Sequence, residues 1–540
     1  MGRLQSVVAR ANKKLTLQLA AALLAGATLL SSILGLFRDR LLNAHYLNAF
    51  PQAIDAYTVA FTVPDFMYFI LVSGALSVTF IPVFNQRLST GNKRSAWELS
   101  TSVLNMMALV TLVASILIII FADPLVALVG PGLDESGRSL AVSLMRVIAI
   151  NPFLFAIATV ISSMQQAVGR FSFFALAPTI YNIGIIIGIV FFTNGISIFG
   201  HEIFGGGIMG VALGVVLGSI LQLIVSAIGL IGMGYDYRFA IYWKNKGFRK
   251  VLSLLPARSV DQGIDYINSI VETNLASRMA AGTVRAYQQA TTLHMVPINL
   301  IGVAISTAAF PKMSERLSQG RPDLFRKELQ TVLRVIIWLA LPVSVIAFFG
   351  RGYVVNFIAN GGNQLISDIF GPLCIAIFFR SVFHIASRSF YAQQDTKTPL
   401  YISLVSVILN ISLAIILAFA LGFGAPGIAW AAAIISAIEV SILFTIMARR
   451  IPGLFDAVFF HAIARMVSAA GFMAIVTYIL VLVIPLRGGE QSFITTFPRF
   501  ALIGFISITI YTLICLLMKL DEPVPIVKRI KKVLFGRLVP

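Results

Sequence analysis

Along the chain one pattern recurs fourteen times: a long apolar run, then a short polar break. The runs cover 15–37, 56–82, 100–122, 139–166, 172–193, 207–232, 251–274, 287–310, 331–350, 366–390, 399–421, 426–448, 461–485 and 495–518. Roughly 20 apolar residues is the length an α-helix needs to cross the hydrocarbon core of a bilayer. The runs are continuous rather than alternating, which favours helices over a closed barrel. The pattern predicts an all-α polytopic membrane protein of about fourteen transmembrane helices.

The seventh run breaks its own rule. Arg258, Asp261, Asp265, Asn268 and Glu272 fall at i, i+3, i+7, i+10 and i+14. At 3.6 residues per turn these share one helix face, and Val260, Ile264, Ile267, Ile270 and Val271 cover the other. A charge at the bilayer centre costs at least ~2.5–3.5 kcal/mol, so such a stripe needs a hydrated cavity or internal partners. The expectation is the wall of a substrate or ion pathway. The bland alternative is an ion-pair ladder, with Arg258 meeting Asp261 or Asp265 at helical spacing.

The chain also repeats on a larger scale. SVTFIPVFNQRLSTG (77–91) resembles STAAFPKMSERLSQG (306–320) at an offset of 229 residues. Gln165-Gln166 and Asn182-Ile183 return as Gln393-Gln394 and Asn410-Ile411 at 228, and GIMGVA (207–212) as GAPGIA (424–429) at 217. Six spans separate each pair, so the copies share orientation, the arrangement of a transporter built from parallel repeats. The expected domains are a six-helix lobe at 1–245, a second at 246–452, two additional helices at 453–520 and a basic tail at 521–540. The seventh span then leads the second lobe as the first span, ending in Arg38-Asp39-Arg40, leads the first. For those three residues a snorkelling interfacial cluster stands beside the cavity reading.

Composition strengthens this picture. Of 540 residues, 58% are hydrophobic and 12% charged, and mean hydropathy is +0.90. A soluble protein could not hide that much apolar surface. The net charge of +19 would suggest nucleic acid in a soluble protein, but the basic residues lie between apolar runs and no nucleic-acid partner is expected. They concentrate in the loops after even-numbered spans, including Arg238, Lys244, Lys246, Arg249 and Lys250, and in the tail with Lys528, Arg529, Lys531 and Lys532. That asymmetry predicts cytoplasmic termini. The tail reads equally as an amphipathic surface helix or a solvated basic segment. Cys374 and Cys515 read as small core residues. The stretch 1–14 is basic, and the run 15–37 ends in no evident cleavage site, so it reads as the first span rather than a signal.

Chemistry offers fewer handles. No GxxxxGK[ST], HExxH, CxxC or GxSxG motif is present, so no enzyme and no ATP hydrolysis is expected. Energy would come from an ion gradient, the membrane potential or the substrate gradient. Asp65 follows Pro64, where a proline break could expose backbone to a cavity. His294, and His384 with Arg388, are weaker candidates for proton carriers, more ordinarily read as packing residues. Arg278 and Arg285 are expected in a short outer loop.

Four stretches resemble the MurJ (MviN) family: SSILGLFRD (31–39), VPDFMYFILVSGALSVTFIPVF (63–84), GRFSFFALAPTIYNIG (169–184) and SFYAQQDTKTP (389–399). The resemblance covers about spans 1–12. It implies a flippase of the multidrug/oligosaccharidyl-lipid/polysaccharide exporter superfamily, carrying lipid II from inner to outer leaflet through a cleft lined by helices 1, 2, 7 and 8. Arg38 and Asp39 match the family's cavity pair. Its other cavity arginines fall here on Ser32, Tyr68 and Thr292, and an acidic position falls on Ser73. The expected substrate site is Arg38, Asp39, Arg258, Asp261, Asp265, Asn268, Glu272 and Arg285, with the arginines gripping pyrophosphate and Arg258, Arg278 and Arg285 standing in for the missing ones. No metal site or cofactor is expected beyond a coupling cation, Na+ or H+. Expected partners are a lipid-linked glycan, membrane lipids and cell-wall synthesis proteins, at a bacterial inner membrane. The alternatives are export of another lipid-linked glycan, a cation-coupled drug antiporter, and a non-transporting cell-wall scaffold.

Overall fold

A computed structural model describes residues 17–198, 201–204, 206–486, 493–525 and 527–528. Within these, the side chains of 17, 18, 20–22, 73–78, 196–198, 201–204, 256–262, 264 and 265 are not described. The basic tail from 529 onward and the segment 1–16 lie outside the described residues.

Contacts divide the chain into two compact units, 1–285 and 286–540. The first contains α1 (Leu17–Tyr46), α2 (Pro51–Tyr68), α3 (Gly74–Ser89), α4 (Lys93–Ile120), α5 (Ala122–Val129), α6 (Glu135–Ile148), α7 (Asn151–Ala167), α8 (Ser172–Ile187), α9 (Ile208–Ile228) and α10 (Lys246–Ser277). A small antiparallel hairpin, β1 (Ile196–Ile198) and β2 (His201–Phe204), sits in the long loop before α9. Its core gathers Val72, Phe80, Phe84, Leu99, Val160, Met164 and Phe248 from α3, α4, α7, α10 and the π-turn between α2 and α3.

The second unit follows with α11 (Thr283–Ile298), which starts at the last residues of the first. Then come α12 (Ala304–Ser318), α13 (Pro322–Phe349), α14 (Arg351–Ile358), α15 (Gln364–Ala392), α16 (Lys397–Ile415), α17 (Ala425–Arg450), α18 (Ala457–Val483) and α19 (Phe493–Leu517). Phe325, Ile336, Ile385, Phe390, Leu443, Met466 and Tyr511 fill its core. The contact boundary therefore falls at Arg285/Ala286, whereas the repeat places a lobe boundary at 245/246. The helix α10 packs on α3 of the first unit, and on the π-turn before it through Gly263 facing Ile70 and Tyr266 stacked on Phe69 at 4.4 Å.

Among the described residues twelve helices are long and apolar enough to cross a membrane. They coincide with twelve of the expected spans. The other two expected spans coincide with α1 and α10, 30 and 32 residues long, which fall outside that set. In α10 the reason is the polar stripe itself. The fourth expected span is two helices, α6 and α7, joined through Ala149 and Ile150, with Pro152 in the first turn of α7.

The repeat is written into the fold in detail. The short helices α5 and α14 begin at Ala122 and Arg351 (351 − 122 = 229), and α4 and α13 begin at Lys93 and Pro322 (322 − 93 = 229). Asp134 caps α6 and Asn363 caps α15 at the same offset, each accepting a backbone N–H bond of 2.9 Å at the helix start. Such a cap satisfies one of the orphan donors of a first turn. Wide π-turns interrupt the same places in both copies: Phe69–Ser73 and Asn299–Val303, then Gly188–Phe192 and Ile416–Ala420. Pro64 does not break α2, which continues for a turn and then widens at the first of these.

In the first copy, glycines set the crossing of α8 and α9. A Cβ on Gly188 would lie 2.5 Å from Gly214 Cα, and one on Gly184 2.2 Å from Gly218 Cα. Backbone-to-backbone approach of this kind is how helices associate where the solvent is as apolar as the side chains.

Candidate functional site

Three stretches distant in sequence meet in the first unit: the C-terminal half of α1, the first turns of α2, and the start of α11. Asp55 of α2 lies under the first turn of α11 and accepts from the backbone N–H of Gly282 (2.7 Å) and Arg285 (2.8 Å). A carboxylate from a neighbouring helix thus does the work of an N-cap and meets the positive end of the helix dipole. Arg285 is consequently in a helix and buried, not in a solvated outer loop. Its Nε donates to Asn43 at 3.0 Å and its Nη2 to Asp39 at 3.3 Å.

Asp39 is shared. Its Oδ1 also accepts from Arg38 Nε (3.3 Å) and Nη2 (3.1 Å). Arg38 in turn gives Nη1 to Asn182 of α8 at 3.0 Å, and Asn182 donates to Ser31 Oγ at 3.2 Å. The side chains of Arg285 and Asp39 are 4% and 7% exposed and that of Arg38 is 25% exposed. With Asp39 and Asp55 ionised, the formal charges of the two arginines are balanced, and burial of the group becomes tolerable because each charge has partners. Arg38 and Asp39 are thus partnered inside the unit rather than snorkelling at an interface, and of Arg38, Asp39 and Arg285 it is Arg38 that retains an accessible face.

The expected site is therefore brought together only in part. Arg38, Asp39 and Arg285 form one network. Asn268 and Glu272 form a local pair on α10, Nδ2 to Oε1 at 2.8 Å, on the other side of the helix from Gly263 and Tyr266. The side chains of Arg258, Asp261 and Asp265 lie outside the described residues. Asn43, Asp55 and Asn182 were not among the expected site residues. Asn43 had a signal, four residues after Asp39 on the same helix face. Asp55 and Asn182 had none as partners, since their contacts span 230 and 144 residues.

Where the family's other arginines would stand, the chain carries neutral groups with hydrogen-bond partners of their own. Ser32 donates to Thr28 O at 2.9 Å, Tyr68 pairs with Thr159 at 2.9 Å, and Thr292 donates to Gln288 O at 2.9 Å. The side chain of Ser73 lies outside the described residues. Arg278 is exposed and donates to Asn274 at 3.0 Å. His294 is buried with Nδ1 against Thr291 O at 3.2 Å, a packing histidine. Among the described residues no group of three or more His, Cys, Asp or Glu is placed to hold a metal.

Comparison with known proteins places these residues in context. A family model described as lipid II flippase MurJ matches residues 44–498. A probable lipid II flippase MurJ of Thermotoga maritima is 26% identical over 93% of this chain and 97% of its own. A lipid II flippase MurJ of Burkholderia cenocepacia is 26% identical over 70% of this chain and 74% of its own. Among solved structures, a lipid II flippase MurJ in an inward closed conformation matches with a TM-score of 0.72 at 25% identity, covering 91% of this chain and 98% of that one. An inward-facing multidrug resistance transporter of the MATE family, MOP superfamily, matches with a TM-score of 0.65 at 16% identity over 78% of this chain and 95% of its own. That last likeness speaks for the fold alone.

Proposed function

Because the chain belongs to the MurJ family of lipid II flippases, we propose that it is a membrane transporter that carries lipid II from the inner to the outer leaflet for peptidoglycan synthesis. The observation that carries this is the match of the flippase family model to residues 44–498. In this reading the protein lies in a bacterial inner membrane with both termini cytoplasmic, and works by alternating access. Arg38 is the group in the first-unit network with an accessible face, so it meets the pyrophosphate first, and Asp39 holds it in place. Arg38 gives three of its five N–H groups within the network, two to Asp39 and one to Asn182, which leaves donors for a second anion. A Na+ or H+ gradient supplies the energy, and cell-wall synthesis proteins take the cargo onward.

The test is rescue of cells depleted of their lipid II flippase. The chain should restore growth, and Arg38→Ala should reduce rescue at equal membrane abundance. Failure of the unaltered chain to rescue, with the protein present in the membrane, would overturn the reading. One observation favours a second reading. Neutral residues at Ser32, Tyr68 and Thr292 suit a cargo with less negative charge, such as another lipid-linked glycan or an exported drug. Lipids copurifying with the protein, identified by mass spectrometry, separate the two.

A further inference from the structure

The helix α15 of the second unit is buried on most of its surface, with Ser381, Val382, Ile385, Ala386, Ser387 and Phe390 all inside. The stripe that escapes burial carries Arg380, His384 and Arg388 at i, i+4 and i+8. Arg380 has one acidic partner. Its Nη1 lies 3.6 Å from Glu439 Oε2 of α17, and Glu439, itself 2% exposed, accepts from Ser403 at 2.8 Å. Among the described residues neither His384 nor Arg388 has a carboxylate within ion-pair reach.

A long basic side chain near a helix end ordinarily snorkels to the interface. That accounts for Arg388, four residues before the end of α15 at Ala392. It does not account for the others. At 1.5 Å per residue His384 lies ~12 Å and Arg380 ~18 Å from that end. The stripe is also built against rather than left open. Gly302, in the π-turn Asn299–Val303, lies where a Cβ would sit 2.6 Å from Ser381 Cα and 3.2 Å from His384 Cδ2. Only glycine lets this backbone press against the stripe, and π-turns concentrate at functional places in helices.

We propose that Arg380, His384 and Arg388 form a diphosphate-binding ladder within the second unit, taking the pyrophosphate of a polyprenyl-linked substrate. This rests on the lipid II reading above. Successive rungs are ~6 Å apart along the helix, so a diphosphate reaches two rungs while a monophosphate engages one. Guanidinium groups bind such oxygens in pairs. The ladder supplies positive charge in the second unit, whereas Ser32, Tyr68 and Thr292 supply none. Glu439 competes with the substrate for Arg380.

The experiment uses the full chain in lipid nanodiscs, with farnesyl pyrophosphate and farnesyl monophosphate as probes and a thermal melt on every variant. The unaltered protein should prefer the pyrophosphate by about tenfold, a preference carried by paired charged hydrogen bonds. His384→Gln with Arg388→Gln should abolish that preference, and Arg388→Lys should weaken it in part. Glu439→Gln should tighten pyrophosphate binding severalfold by freeing Arg380, and Arg449→Gln, outside the ladder, should change nothing. A folded double variant that keeps the preference would overturn the ladder and leave the flippase reading standing. If the unaltered chain binds neither probe and fails to rescue flippase-depleted cells, both fall. If the double variant does not fold, Glu439→Gln decides: tightening supports the ladder, and unchanged affinity overturns it.

Discussion

The two compact units bury charge in opposite ways. In the first unit, Arg38 and Arg285 share Asp39, and Asn43, Asn182 and Asp55 take up much of what remains. In the second, among the described residues, Arg380 pairs with Glu439 while His384 and Arg388 have no carboxylate within ion-pair reach. The crossings differ too. Where α8 and α9 meet through Gly188 and Gly214, the equivalent residues of the second copy are Ile416 and Ala431. One unit has a balanced polar network beside a glycine crossing, the other a basic stripe with one acidic partner beside a crossing of Ile416 and Ala431. Duplicated architecture has been kept while the charges moved.

The sharpest way to break this comparison is Asp39→Ala. Two arginines lose their shared partner, and stripping one member from a buried charge network costs ~3–5 kcal/mol. Purified protein should melt far lower, and adding Arg285→Leu should recover much of the loss; no recovery would show that Arg285 is not held by that carboxylate. Gly214→Ala comes next. Its Cβ would sit 2.5 Å from Gly188 Cα, so the helices must part at ~1–3 kcal/mol, whereas Ala431→Gly in the other copy should cost only ~1 kcal/mol of helix propensity. Equal melting shifts would erase the contrast between crossings. Glu439→Ala should cost less than Asp39→Ala, roughly 1–3 kcal/mol, because Arg380 keeps a path to water, its side chain being 36% exposed.

The smallest effect concerns Asp395, in the loop before α16. Burial pushes its carboxyl up, but the Thr398 side chain and N–H, with Arg450, hold it down to about 2. Arg450 Nη1 lies 2.7 Å from Asp395 Oδ2. A carboxylate depressed on folding stabilises above its unfolded pKa near 4, and that contribution fades as pH falls towards 2. Asp395→Asn should therefore cost on the order of 1 kcal/mol at pH 7, after solvent screening, and almost nothing near pH 2. A melting difference that stays constant across that range would remove Asp395 from the account.

Hydropathy made the spans legible, since each needs only a run of apolar residues, and among the described residues twelve of the fourteen coincide with helices apolar enough to cross. The repeat was legible because SVTFIPVFNQRLSTG and STAAFPKMSERLSQG keep their turn chemistry: Gly91 and Gly320 both adopt positive φ, 77° and 66°. The buried network was half legible at Arg38 and Asp39, a charged pair in the first apolar helix for which a snorkelling cluster stood equally beside a cavity. Arg285 was found but misplaced, because its burial depends on Asp55 capping the first turn of α11, a contact 230 residues long that no local pattern announces. The packing of α10 on the first unit was hidden for the same reason: a helix face records that it needs a neighbour, not which one.

A π-turn holds one residue more than an α-helical turn, the mark a single inserted residue would leave. This chain bears that mark twice, and each time in both copies at matching positions. Two separate insertions landing twice on the same turn is a poor history. The simpler one puts the insertions in a single ancestral half-length chain, before it was doubled. On that chronology the widened turns at Phe69 and Asn299 are among the oldest features of the molecule, older than the difference in charge between its halves.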